Sequence, residues 1–209
     1  MAQEIEIKLT LPVRLAPRLR QLPLLAGMAS RKRCLRNIYL DTPEQTLRQR
    51  RMALRRRQAG DFWLLTIKTE GEETRAGFSR RQEWEYPMPP DELAFAAVDD
   101  DTLRQQLQQL APRLQPAFRT DFIRQCWQLQ YGDSHIELAL DLGRICARRH
   151  REMIREVELE LLDGAEADLH ALADTLQNIL PGLAPHAPSK AARGYALLDG
   201  AISKASATN

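Results

Sequence analysis

Residues 4–8 read Glu4-Ile5-Glu6-Ile7-Lys8, and the side to which this stretch turns its charges decides the fold. On a β-strand, residues two apart share a face. Glu4, Glu6 and Lys8 therefore line one side, with Ile5, Ile7 and Leu9 on the other. A lone strand of this kind turns its charges to water and its isoleucines to a core. The rest of the chain has to say whether that holds here.

Moving outward, seven further segments look extended: 35–40, 52–57, 62–68, 80–86, 122–131, 135–142 and 154–161. Turn-like pieces separate them, QAGD at 58–61, YGDS at 131–134 and LGR at 142–144 among them. Segments 62–68 and 80–86 pair antiparallel, as do 122–131 and 135–142 across a tight turn. The alternation recurs in each. Arg55 and Arg57 share a face, as do Thr66 and Lys68. Arg81, Glu83 and Glu85 lie opposite Trp84 and Tyr86. Glu137 and Asp141 lie opposite Ile136, Leu138 and Leu140, and Glu156, Glu158 and Glu160 oppose Val157, Leu159 and Leu161.

Helical spacing fills much of the remainder. Leu169, Leu172, Ala173, Leu176 and Leu180 mark one helix, ended by Pro181-Gly182. Leu103, Leu107 and Leu110 mark a second, beyond the break PMPP at 87–90. A short first helix falls within 13–25, and a last one within 189–203 takes Ser189 as its N-cap. Gly194 inside that last helix costs about 1 kcal/mol relative to alanine.

Two architectures satisfy this pattern. A β-sandwich would bury the apolar faces and solvate the charged ones. An eight-stranded barrel would enclose the charges and cover its apolar exterior with helices. Alternation does not separate them. Two features favour the barrel: a sandwich leaves four amphipathic helices little to cover, and the charges are sorted, acids on the first and last strands and arginines on the third. Such an interior stays wet, because buried charges are costly unless paired. Clustered cations call for a polyanion and clustered carboxylates for a hard cation, and a polyphosphate carrying Mg²⁺ or Mn²⁺ meets both demands.

Composition is compatible with this. The 209 residues, 44% hydrophobic, suffice for a core of one large domain or two small ones. Of 30 basic residues only Lys8, Lys32, Lys68, Lys190 and Lys204 are lysines, so 25 are arginines, whose planar fork grips phosphate or carboxylate. A net charge of +2 does not mark a nucleic-acid-binding chain. Arginine-rich 31–36 and 48–57 lack interleaved aromatics for base stacking. Cys34, Cys126 and Cys146 form no CxxC pair, which fits a reducing compartment. Charges at positions 4, 6 and 8 interrupt any signal-peptide core, and no segment approaches a membrane span. The expectation is a cytoplasmic protein with neither membrane nor nucleic-acid partner. Phosphate-loop, GxGxxG, HExxH and GxSxG motifs are missing, and the four histidines are scattered.

Glu4-Ile5-Glu6-Ile7-Lys8 resembles the ExExK motif of the CYTH superfamily, the triphosphate tunnel metalloenzymes. The resemblance continues at Arg55-Arg56-Arg57, Thr66-Ile67-Lys68 and Arg81-Gln82-Glu83-Trp84-Glu85. It runs on through Arg124, Leu140-Asp141-Leu142-Gly143 and Glu156-Val157-Glu158-Leu159-Glu160, ending at Ser189-Lys190-Ala191-Ala192-Arg193-Gly194-Tyr195. The whole looks most like the bacterial inorganic triphosphatases, whose CYTH domain often precedes a helical CHAD domain; no CHAD-like region follows here.

The resemblance implies an α+β fold: a closed eight-stranded antiparallel tunnel, helices packed outside, and a C-terminal helix. It implies one CYTH domain over 1–203, leaving 204–209 as a flexible tail. Lys8, Arg55, Arg57, Lys68, Arg124 and Lys190 would hold triphosphate oxygens. Glu4, Glu6, Asp141, Glu156 and Glu158 would hold two divalent cations, Mg²⁺ or Mn²⁺, with Glu4, Glu6 and Lys8 nearest the chemistry. Arg81, Glu83, Glu85 and Glu137 would line and orient the tunnel, and Arg119 is either a phosphate contact or a surface residue. The implied reaction yields pyrophosphate and orthophosphate from inorganic triphosphate in a monomer or weak homodimer. Thiamine or nucleoside triphosphates, class IV adenylate cyclase chemistry and non-catalytic polyphosphate binding are the alternatives. Repulsion between clustered carboxylates predicts that Glu6→Gln leaves the ligand-free fold as stable or more so.

Overall fold

A computed structural model of the chain describes residues 2–74, 77–89, 92–186 and 188–200. The opening stretch lies in β1 (Ala2–Thr10). The other long strands are β2 (Arg31–Asp41), β3 (Ala53–Ala59), β4 (Phe62–Glu73), β5 (Phe78–Pro87), β6 (Gln115–Tyr131), β7 (Ser134–Ala147) and β8 (His150–Asp163). All pair antiparallel in the order β5-β4-β3-β2-β6-β7-β8-β1, and β5 pairs with β1 to close the barrel. A two-residue strand, β9 (Ala184–Pro185), continues the β5 edge of β1 beyond Ile7. There Lys8 N donates to Gly77 O, and His186 N donates to Lys8 O, each at 2.9 Å.

The barrel therefore answers the question posed by alternation. Ile7, Leu9, Leu138, Leu140, Val157 and Leu159 face outward, under α1 (Ala16–Arg20) and α4 (Glu166–Ile179). On the other flank Leu54, Leu65, Ile67 and Trp84 are covered by Leu47 of α2 (Thr46–Gln49) and by Leu103 and Leu107 of α3 (Asp101–Leu110). The charged faces turn inward. At one end α5 (Lys190–Leu198) packs Tyr195 against inward-facing Phe118, itself stacked on Tyr39 at 4.5 Å. No described helix is long and apolar enough to cross a membrane.

Several boundaries shift. LGR at 142–144 is not a turn but lies inside β7. Gly143 serves a close approach: a Cβ there would overlap Phe122 and the Asp121 carbonyl on β6. The first helix is split by its prolines into a 3₁₀ turn at Val13–Leu15, α1, and a 3₁₀ turn at Pro23–Leu25. Ser189 does cap α5, its Oγ accepting from Ala192 N at 3.1 Å. The end of the expected last helix, 201–203, and the tail at 204–209 lie outside the described residues.

Candidate active site

The barrel encloses a cavity of about 910 Å³, half of whose lining residues are charged. Its sorting follows the strand order. Arg55 and Arg57 on β3, Lys68 on β4 and Arg124 on β6 face Glu4 and Glu6 on β1 and Glu158 and Glu160 on β8. Arg81, Glu83 and Glu85 on β5, and Glu137 on β7, complete the wall. Asp141 and Glu156 lie deeper, fully buried at the end closed by α5.

At that closed end Asp141, Glu156 and Glu158 each offer an oxygen, and these oxygens lie within 4.8 Å of one another. Lys190, at the first turn of α5, reaches in among them. Its Nζ is 2.6 Å from Asp141 Oδ2 and 2.7 Å from Glu158 Oε1, and it also contacts Glu156 Oε1. Arg124 donates through Nε and Nη2 to the two Asp141 oxygens at 2.8 and 2.7 Å, and its Nη2 also donates to Glu158. The consequences for ionisation are opposite for neighbours. Burial alone would raise the Glu158 carboxyl, but Lys190 and Arg124 hold it well below the ordinary range. Burial wins at Glu156, which is pushed up despite Lys190. Three buried carboxylate oxygens are hard donors, so the donor set fits a hard divalent cation.

The β1 carboxylates are held differently. Lys68 Nζ donates to Glu4 Oε1 at 2.5 Å and lies 3.2 Å from Glu83. Glu6 Oε1 accepts from Arg81 Nη2 at 2.9 Å and Ser79 Oγ at 3.1 Å, and pairs with Lys8 at 2.6 Å. Glu4 and Glu6 are not part of the converging triad. Nearer the opposite end, Arg57 donates through Nε to Asn37 Oδ1 at 2.9 Å and through Nη1 to Glu85 at 3.3 Å. Burial and then Arg55 push its pKa down to about 10, so Arg57 sits in a cation-rich corner. Burial, followed by Glu4, pushes Glu160 up to about 7.

Every site residue expected from the sequence thus faces the barrel interior, except Arg119, which is exposed on the outer face beside Asp121. Four participants were missed. Arg193 clamps Glu156 Oε2 and Glu152 Oε1, both at 2.6 Å, and donates to Met153 O at 2.8 Å. Its spacing three residues after Lys190 on a helix was the available signal. Asn37, inward on β2 between Leu35 and Tyr39, followed from the same alternation rule; Arg31 and Arg33 at the far end did not, because the strand begins at Arg31 and not at the expected residue 35.

The barrel is closed, and a row of guanidinium groups faces buried carboxylates across its interior. The chain belongs to the CYTH domain family, whose model matches residues 2–195. An inorganic triphosphatase of Haemophilus influenzae is 34% identical over 205 residues, covering 94% of this chain and 55% of that protein. The chain therefore spans about half the length of that curated relative. A Hippeastrum protein described as an adenylyl cyclase with a dominant triphosphatase activity superposes with TM-score 0.66 at 18% identity, covering 97% of this chain and 98% of that one. A protein of Bacillus halodurans described as an adenylate cyclase gives 0.57 at 20%, covering 90% and 97%. At these identities the two structures share the fold.

Proposed function

We propose that this chain hydrolyses inorganic triphosphate to pyrophosphate and orthophosphate inside its barrel, using Mg²⁺ or Mn²⁺. One observation carries the reading: a single cavity sets Arg55, Arg57 and Lys68 across from Glu158, which with Asp141 and Glu156 forms a buried triad of carboxylates that Arg124 joins. The likeness to the Haemophilus influenzae triphosphatase supports it. Phosphoryl transfer asks mainly for positioning and charge neutralisation, and this wall supplies both. The arginine forks would grip phosphoryl oxygens in bidentate fashion and hold the chain of phosphates along the tunnel. Asp141, Glu156 and Glu158 would hold one cation, and Glu4 and Glu6 a second. Bound there, a divalent cation would offset phosphoryl charge and make a coordinated water more acidic. Lys8 pairs with Glu6 and would keep that carboxylate oriented toward the substrate. Glu83 lies 3.9 Å from Arg55 and 3.2 Å from Lys68, and Glu85 3.3 Å from Arg57, so these two carboxylates would orient the cations.

The reading includes one catalytic domain over 1–203, a cytoplasmic location supported by three free cysteines, and a monomer or weak homodimer. The test is phosphate release from tripolyphosphate, thiamine triphosphate and ATP, each with Mg²⁺, Mn²⁺ and excess EDTA. Tripolyphosphate should turn over fastest, and EDTA should abolish release. Full activity in EDTA would overturn the cation requirement. Faster release from an organic triphosphate would reassign the substrate, and tight binding without turnover would make this a polyphosphate-binding module.

A further inference from the structure

Among the described residues, helices cover much of the barrel exterior, but none lies over one four-stranded face. The register places its side chains in rows across β2, β6, β7 and β8. One row is Cys34, Ile123, Leu142 and Arg155. The next, toward the closed end, is Arg36, Asp121, Arg144 and Met153. Beyond it Arg119 and Arg151 flank Cys146. Ile123 and Met153 are 54% and 53% exposed, and Arg36, Arg144, Arg151 and Arg155 are exposed around them. α1 and α4 cover the neighbouring stretch of the same strands, from Leu140 and Val157 onward, and half-buried Leu142 packs against the edge of that cover.

Two properties coincide here. An apolar line, Cys34–Ile123–Leu142 with Met153 beside its end, crosses four strands, about 14 Å at the usual strand spacing. Five arginines edge it, and the face carries one acid, Asp121, which already has Arg119 at 3.5 Å. Self-association through this face would bring arginine against arginine. None of residues 201–209 is acidic, so they do not supply the complement either. Nor do aromatics stand among these cations to stack bases.

We infer that this face docks an acidic amphipathic helix of a partner protein. Apolar side chains at i, i+3 or i+4, and i+7 of that helix span about 10.5 Å, close to the roughly 9.6 Å across Cys34, Ile123 and Leu142. Carboxylates on its flank meet Arg36, Arg144, Arg119 and Arg151. Charge complementarity of this kind sets partner choice and encounter rate.

The probe is a fluorescent helical peptide with leucines on one stripe and glutamates beside it, compared with a scrambled peptide of the same composition. Anisotropy is read with tripolyphosphate and EDTA saturating the tunnel, so that carboxylates do not score by entering it. The patterned peptide should bind at least tenfold tighter than the scrambled one and weaken with added salt. Arg36→Glu/Arg144→Glu, and separately Ile123→Thr, should each weaken it at least tenfold while phosphate release is unchanged. Equal binding of both peptides, or indifference to these substitutions, would overturn the inference. So would a single-stranded RNA oligonucleotide binding tighter than the peptide and competing with it.

Discussion

Glu6 shows what burial does to a charge that the sequence leaves undefined. Counting carboxylates along β1 predicts relief of repulsion when one is neutralised. In the barrel, however, Glu6 has Lys8, Arg81 and Ser79 around one oxygen. Removing its charge strands the cations, and the expected sign reverses. Glu6→Gln should lower ligand-free stability by roughly 2 kcal/mol, less than the ~3–5 for an isolated buried pair, because Arg81 keeps Glu4 and Glu73. Turnover at limiting Mg²⁺ should fall by at least a hundredfold. Denaturant unfolding and phosphate release check the two halves, and unchanged values in both would return Glu6 to a passive role. Glu85 gives a pH signature. Burial would raise it, but Arg57, Arg55 and the Thr66 hydroxyl hold it below the ordinary carboxylate range. A carboxyl lowered on folding contributes stability that is present above its unfolded pKa and lost as pH falls through the lower, folded one. Stability of the native chain should therefore drop from pH 5 downward, and Glu85→Gln should flatten that slope; an unaltered slope would refute the assignment. Period-2 alternation made the identities of these residues readable. Their partners were not, because a partner across the barrel is set by closure and register, not by spacing along the chain.

At the level of elements, α5 carries more than its propensity suggests. Tyr195 donates to Asp41 Oδ2 at 2.6 Å, and Asp41 in turn accepts from the α2 amides of Leu47 and Arg48 at 2.8 and 3.1 Å. The Arg48 guanidinium lies 5.0 Å from the Tyr195 ring centre and pairs with Asp199 at 2.7 Å. These contacts fix the helix that delivers Lys190 and Arg193 to the carboxylate triad. Helix propensity alone makes Gly194→Ala favourable by about 1 kcal/mol. A Cβ there would overlap the Phe118 ring, and overpacking costs about 1–3 kcal/mol. Gly194→Ala should therefore lower the melting temperature, with kcat falling as Lys190 shifts; a rise in Tm would mean that Phe118 yields freely. The existence of α3, α4 and α5 and the eight strands could be read from periodicity. The four-residue α2 and the interior position of Gly143 could not, since a one-turn helix has no period and a glycine in a strand looks like a turn.

For the whole molecule, the amphipathic helices and the sorting of charges by strand favoured a barrel without separating it from a sandwich; the helices do cover the apolar exterior, and the charges turn inward. A barrel that collects cations inside it holds them against their own repulsion. Metal-free tripolyphosphate should offset that repulsion and stabilise the fold. At a hundredfold excess over Kd the gain is about 2.7 kcal/mol, or roughly 5–10 °C in Tm for a chain of this size. Calorimetry in EDTA reads it directly, and an absent shift would mean that the carboxylates already satisfy the cations.

The pairing of β1 with both β5 and β8 also has a consequence for biosynthesis. The first strand made cannot complete its neighbours until residues 156–160, its partners on β8, have left the ribosome. Such distant pairings make for high contact order and slow folding. A nascent chain arrested before residue 150 would present two open sheet edges, one of them holding Glu4, Glu6 and Lys8, and would invite aggregation in place of catalysis.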